Sequence, residues 1–269
     1  MLENPVSMEL LTYLITGAAA GLLAGLLGVG GGLVIVPALA WLLAGRGLAG
    51  DHLMHLAVGS SLAAIVPTAV SSLLAHRRRG SVHWPAVRGL LPGILAGALG
   101  GAWLARQVSS PGLALLFGTF EVLVALQLLF AVRPSAHRGL PGAAGMGLAG
   151  LVIGAVSAVL GIGGGTLTTP FLLWNGVGIH RAVGTSATCG LPIALAGAAG
   201  FAWSGLTVMA GQAWATGFVY WPAAAGIVLA SVPLAPLGAR LAHRLPRQRL
   251  QRVFALFLLA VGVRMLLSA

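Results

Sequence analysis

Charge is what this sequence lacks most. Its 269 residues hold only four Asp and Glu, no lysine, and one cysteine, Cys189. Charged residues make up 7% of the chain, against roughly 25% in a soluble globular domain. So few cannot coat a surface that faces water, which excludes an ordinary soluble enzyme, a nucleic-acid-binding module and a disordered tail. A single cysteine leaves no internal disulfide and no multi-cysteine metal site. Without lysine, a serine hydrolase inside the membrane would need a histidine base, and the histidines cluster at segment ends. No Walker A loop is present, so ATP could come only from a separate subunit. Glu3 and Glu9 stand before or within the first apolar stretch with no basic residue ahead of it, which does not read as a cleaved signal peptide.

What is present is apolar. Hydrophobic residues account for 58% of the chain and glycine for 41 positions. The formal net charge is +11, carried by arginines in short clusters between apolar runs. That distribution fits topology charge on cytoplasmic loops better than a nucleic-acid partner, so none is expected. Apolar segments run at approximately 8–28, 32–45, 53–75, 82–105, 112–132, 142–161, 166–177, 182–204, 214–239 and 250–268. Six or more reach the roughly 20 residues that cross a bilayer as a helix. The second and seventh are too short, and each directly follows a glycine cluster.

This pattern occurs twice. GVGGGLVIVP at 28–37 aligns with GIGGGTLTTP at 161–170, and AVGSSLAAIVP at 57–67 with AVGTSATCGLP at 182–192. Trp84 and Pro85 match Trp221 and Pro222, and GAWLAR at 101–106 resembles GARLAH at 238–243. Residues 1–135 and 136–269 are therefore expected to be two membrane repeats of one transmembrane unit, joined through the basic run 133–138. The positive-inside rule orients them. The first half carries its basic loop at His76 to Arg79, whereas the matching loop 205–213 is uncharged and five arginines lie instead at 240–252. The basic loop has changed places, so the halves are expected to be inverted, with both termini outside. The predicted fold is an all-α integral membrane protein of two inverted-topology repeats. Five crossings per half satisfy this, as do three crossings plus a re-entrant hairpin. The dozen-residue segment after each glycine cluster favours the hairpin.

Inverted repeats with broken helices place substrate near the midplane, where half-helix ends supply fixed partial charge. Here those ends begin at Gly30, Gly31 and Gly32, and at Gly163, Gly164 and Gly165. Glycine leaves the amide N–H groups open, and the positive end of the helix dipole makes them an anion site. Pro37 and Pro170 follow as expected helix breaks. Ser60, Ser61, Thr185 and Ser186 are further substrate-binding candidates. Their hydroxyls either bond a substrate or their own backbone one turn earlier, and the residues alone do not decide between these. The ladder Gly17, Gly21, Gly25 reads as close helix packing.

Together the GxGGG-xxxx-P turn, the A-V-G-[ST]-S helix start and the stretch LAHRRRGSVHW resemble the TauE/SafE family over nearly the whole chain, in both halves. The resemblance implies a permease in the cell inner membrane that exports small sulfur-containing anions such as sulfite, sulfoacetate or related organosulfonates, with no cofactor and no enzymatic activity. The sequence departs from the family's expected G-T-S at Ser60, while Thr185 keeps it. A channel-like facilitator with a fixed filter, and a transporter of a different small anion, are the alternatives. The arginine-only, Ala- and Gly-rich usage suggests a GC-rich bacterial source.

Glu121 lies mid-segment, where a carboxylate is costly and therefore a functional candidate. Its counterpart is the apolar Leu258. Proton coupling, pairing with an arginine and snorkelling are all open for it. The partners expected are thus a small anion, the lipid bilayer and, for Glu121, protons; a homo-oligomer is left open. His55, His76, His83 and His180 sit near segment ends without metal-ligand spacing, so no metal is expected. Cys189 reads as a buried structural cysteine.

Overall fold

The computed structural model describes residues 5–27, 31–48, 50–130, 139–242 and 247–268. Gly30, the basic run 133–138 and part of the arginine-rich connection near 240–252 therefore lie outside the described residues. Among those described are ten α-helices: α1 (Pro5–Leu27), α2 (Gly32–Ala44), α3 (Leu53–Arg78), α4 (Trp84–Ala105), α5 (Ser110–Leu129), α6 (Ala143–Val159), α7 (Gly165–Trp174), α8 (Ile179–Gly205), α9 (Trp221–Ala242) and α10 (Arg247–Ser268). A two-stranded antiparallel hairpin, β1 (Ala215–Thr216) and β2 (Val219–Tyr220), precedes α9.

Six of these helices are long and apolar enough to cross a membrane, namely α3, α4, α5, α8, α9 and α10. The chain is an all-α, multi-pass membrane protein. By contrast α2 has 13 residues and α7 has 10, about 20 and 15 Å at 1.5 Å per residue. Neither crosses a hydrocarbon core of about 30 Å.

The helix contacts reveal direction. Along α4 and α6, Gly93 faces the carbonyl of Gly147, Gly97 that of Leu151 and Gly101 that of Ala155, so the two run parallel. Gly17 and Gly21 of α1 face the carbonyls of Ile227 and Ser231, so α1 runs parallel to α9. In contrast α3 and α8 are antiparallel, with Gly59 against Phe201 and Leu62 against Gly197. Each long contact thus joins one half of the sequence to the other.

Both short helices turn back. Arg46, just after α2, pairs with Glu9 near the start of α1 at 2.7 Å, and its guanidinium stacks 5.4 Å from the Tyr13 ring centroid. The chain that leaves as α1 therefore returns as α2 to its starting level. Similarly α7 runs back from its turn toward the start of α8, with Leu172 packed in one apolar cluster with Ala182 and Ile193. The central core comes from α2, α3 and α5, with Leu33, Leu39, Leu56, Leu62 and Phe117 all buried. Trp203, Leu229, Val253 and Leu123 point outward, exposed by half or more, as a surface facing lipid demands.

Candidate functional site

Two glycine turns, one at the head of each short helix, meet at the centre of the molecule. The second is closed by its own backbone. Gly161 takes a φ of +66°, where a side chain would be strained. Its N–H donates to Ala158 O (3.1 Å) and that of Ile162 to Ser157 O (3.0 Å). This pair of bonds ends α6 as a Schellman motif. The amides of Gly163, Gly164 and Gly165 then donate to no backbone carbonyl among the described residues. They are the open donors at the start of α7. Gly164 O instead accepts from Thr168 N at 2.9 Å and from the Ser186 hydroxyl at 3.2 Å.

In the first turn, Gly31 is the N-cap of α2 and its carbonyl accepts from Val34 N and Ile35 N, each at 3.0 Å. Gly32 touches the other turn directly. A Cβ on Gly32 would lie 2.5 Å from Gly161 O and 2.7 Å from Ile162 Cα. The Ser61 hydroxyl donates to the same Gly161 O at 2.9 Å. Gly31, Gly32, Gly163, Gly164 and Gly165 are thus gathered, with Ser61 and Ser186 bracing the second turn through its carbonyls.

Depth follows from α8. Gly164 sits against Gly190 and Ile193, close to the middle of a helix that runs from Ile179 to Gly205. Pro37 and Pro170, expected as helix breaks, lie inside α2 and α7, which continue past them to Ala44 and Trp174. The break is made by the glycines. Each proline removes one hydrogen bond near a helix start, and the turns that follow still close.

Ser60 and Thr185 serve elsewhere in the structure. The Ser60 hydroxyl accepts from Tyr220 N at 2.9 Å, and the Thr185 hydroxyl accepts from His83 N at 2.8 Å. Tyr220 and His83 immediately precede the Trp-Pro pairs that open α9 and α4. The preceding glycines make room for the approach, because a Cβ on Gly59 would meet Phe218 O and one on Gly184 would meet Ser81 O. G-S-S and G-T-S are therefore two matching clasps between the halves. Phe218 completes the first by packing its ring 5.0 Å from that of His55 and 5.5 Å from that of His52. Ser60→Ala leaves the buried N–H of Tyr220 without its acceptor, at a cost of about 1–3 kcal/mol, and Thr185→Ala does the same to the part-buried N–H of His83, at the lower end of that range. Each variant is expected to unfold several degrees below the parent in detergent, and the double variant to add the two losses. Unchanged melting in both would show that the clasps contribute nothing.

Glu121 is fully buried on α5, and both carboxylate oxygens lack a partner among the described residues. Its Cβ faces Gly262 of α10. Met54 N donates to the Ser110 hydroxyl at 2.7 Å, tying the starts of α3 and α5 together. Eleven residues along α5 is Glu121; eleven along α3 is Ile65, which packs against Gly163 at 3.6 Å from a Cβ placed there. Both lie about 16 Å above the tie, so the carboxyl is level with the turns.

The histidines stay at helix ends. His55 Nε2 lies 3.0 Å from Ala105 O, His76 Nδ1 lies 2.9 Å from the Ser81 hydroxyl, and His83 Nδ1 accepts from Ala86 N at 3.2 Å. No group of three or more His, Cys, Asp or Glu able to hold a metal occurs among the described residues. Cys189 is buried in an apolar cluster.

Sequence reasoning passed over Thr168. It is fully buried, its hydroxyl has no partner among the described residues, and that oxygen lies 3.2 Å from where a Gly164 Cβ would stand. The signal lay in the difference between the repeats, since GGGTLTTP carries threonines where GGGLVIVP is aliphatic.

Comparison with known proteins agrees in kind. The profile of the family described as "Sulfite exporter TauE/SafE" matches residues 13–265. A Haemophilus influenzae protein named "Probable membrane transporter protein" is 35% identical over 261 residues, covering 96% of this chain and 98% of that one. A Xylella fastidiosa protein of the same name is 30% identical over 257 residues, covering 92% and 91%. The Bacillus subtilis "Probable membrane transporter protein YunE" is 30% identical over 186 residues, covering 62% and 68%. No solved structure matches the chain. With six long apolar helices and a profile match over nearly its full length, the chain belongs to the sulfite exporter TauE/SafE family of membrane transporters.

Proposed function

We propose that the protein is a secondary transporter of the bacterial inner membrane. It exports small sulfur-containing anions, sulfite or an organosulfonate, by alternating access. The observation that carries this reading is the meeting of two glycine turns at mid-depth, one with a row of amides that no backbone carbonyl accepts. Open N–H groups at a helix start attract an anion without a charged side chain. Gly31, Gly32, Gly163, Gly164 and Gly165 form the binding region in this reading; Gly30, expected with them, lies outside the described residues. Ser61 and Ser186 orient the second turn, while Ser60 and Thr185 hold the halves against one another.

The direction of the helices supports two inverted repeats, 1–135 and 136–269. Counterparts α3 and α8 run antiparallel, and α4 with α6 is matched by α1 with α9. Rocking of one repeat on the other then exposes the turns to either side in alternation. Arg77, Arg78 and Arg79 at the end of α3 and Arg181 near the start of α8 mark the cytoplasmic side, which leaves both termini outside.

Sulfite uptake into inside-out vesicles or proteoliposomes tests this, run with and without a pH gradient against sulfate, taurine and sulfoacetate. Saturable uptake with counterflow, inhibited by the transported anions, is expected. Uptake that does not saturate would favour a fixed-filter channel. No uptake of any of these anions by folded protein would remove the sulfur assignment.

A further inference from the structure

The two glycine turns are unequal. Over Gly31 leans a hydrocarbon, since Ile35 Cδ1 lies 3.1 Å from the position of a Cβ on that glycine. Over Gly164, at the matching place on its own helix, leans the Thr168 hydroxyl at 3.2 Å, beside Ile193 Cδ1 of α8 at 2.7 Å. Ile35 and Thr168 occupy the same position in the aligned motifs, four residues after the glycine that caps the helix. The next pair is Val36 and Thr169, and the Thr169 hydroxyl is also enclosed without a partner among the described residues.

A buried hydroxyl without an acceptor or donor costs free energy that evolution normally removes with a partner. Thr168 is 0% exposed, and valine has nearly its shape without the cost. Its counterpart helix makes that choice, using Ile35 and Val36. The hydroxyl lies 3.2 Å from the Cβ position of Gly164, one helical turn from the open amides, so an oxyanion on those amides is within reach of its O–H as one more donor.

We infer that the protein binds one oxyanion, at the second turn only. The amides of Gly163, Gly164 and Gly165 hold it together with the Thr168 hydroxyl, and the first turn forms an apolar wall opposite. This rests on the anion-transport reading and sharpens it. The pseudo-symmetric scaffold carries a single, one-sided site, and Thr168 determines its preference for an oxygen-rich anion. Gly163, Gly164 and Thr168 are all buried, so the arrangement described is closed and release requires α7 to part from α8.

Two variants test it: Thr168→Val and Thr168→Ser. Purified protein is titrated with sulfite, sulfate, thiosulfate and sulfoacetate, and anion-induced thermal stabilisation gives an apparent Kd. Flux of the stabilising anion gives KM and kcat. Loss of a hydrogen bond to a charged group weakens binding by about tenfold to a hundredfold. Thr168→Val is expected to raise Kd and KM by that factor while its melting temperature without anion stays the same or rises. Thr168→Ser is expected within about threefold of the parent, with binding saturating at one anion per chain.

Equal affinity in Thr168→Val and parent overturns the one-sided site, as does a stoichiometry of two. If sulfate or another oxyanion binds through Thr168 and sulfite does not, the site stands and the sulfur-exporter reading fails. If no oxyanion stabilises the folded parent, both fail.

Discussion

Gly32→Ala is expected to abolish anion flux and to lower the melting temperature, even though it adds a single methyl group. That methyl would stand 2.5 Å from Gly161 O and 2.7 Å from Ile162 Cα. Both are backbone atoms of the opposite turn and neither has a rotamer to change. Overpacking of this kind costs about 1–3 kcal/mol or more, and relief comes only by driving the two turns apart. Gly31→Ala is the milder case, because its methyl meets the flexible end of Ile35 at 3.1 Å, so melting and membrane yield should stay near the parent's. Gly164→Val lies between them. It displaces Ile193 Cδ1, at 2.7 Å, and fills the space beside Thr168, so it should insert normally yet lose flux. Proteoliposome uptake, with membrane yield and melting measured alongside, checks all three. Wild-type transport by Gly32→Ala would mean that contact between the turns has no part in the pathway.

Glu121→Gln is expected to leave a transporter that no longer responds to a pH gradient. An ionised carboxylate is far more expensive to bury than a neutral one. Any step in which Glu121 carries charge therefore needs water or a cation to reach it. The described neighbours supply none at rest. Packed against α5 are α3 and α10. The charged or titratable groups on α3 are His55, held at Ala105 O, and His76, Arg77 and Arg78 at its far end. On α10 Arg252 faces outward and Arg264 stacks over Trp41. Glu9 and Arg46 pair with each other, at the start of α1 and just after α2. We propose that the carboxyl, level with the turns, exchanges a proton when the repeats rock and thereby couples export to the gradient. Glutamine keeps the shape and removes the exchange. A second variant, Glu121→Leu, copies Leu258 of the other repeat, which is fully buried. Removing a buried polar group without a partner should raise the melting temperature. Uptake across a series of imposed pH differences gives the answer, and an unchanged response in Glu121→Gln would retire the carboxyl as a proton carrier.

Local sequence made the short helices legible. Segments 32–45 and 166–177 correspond to α2 (Gly32–Ala44) and α7 (Gly165–Trp174), because a glycine cluster ahead and a polar break behind mark both ends. The apolar segment drawn from 214 fared differently. Residues 215–220 form a β-hairpin, and α9 begins only at Trp221. Hydropathy cannot separate the two, since AWATGFVY is apolar in either form. What decides is Gly217 at a φ of +53° and Phe218 N donating to Phe201 O at 3.2 Å. The clasps were hidden for a related reason. The partners of Ser60 and Thr185 lie 160 and 102 positions away, so a hydroxyl at a helix start read equally well as a ligand donor or a local bond. Thr168 lay in plain view but became informative only when the opposing turn showed a methyl group in its place.

The way the helices are shared has a consequence for how the chain is made. The close partner of Gly17 is Ile227, so α1 enters the membrane long before the ribosome has built the surface it packs on. Until α9 emerges, α1 must shelter against lipid or the insertion machinery. The same waiting applies, more briefly, to α4 before α6. Contacts this distant in sequence slow folding, and here they also bind the two halves into one birth: neither can finish while the other is missing.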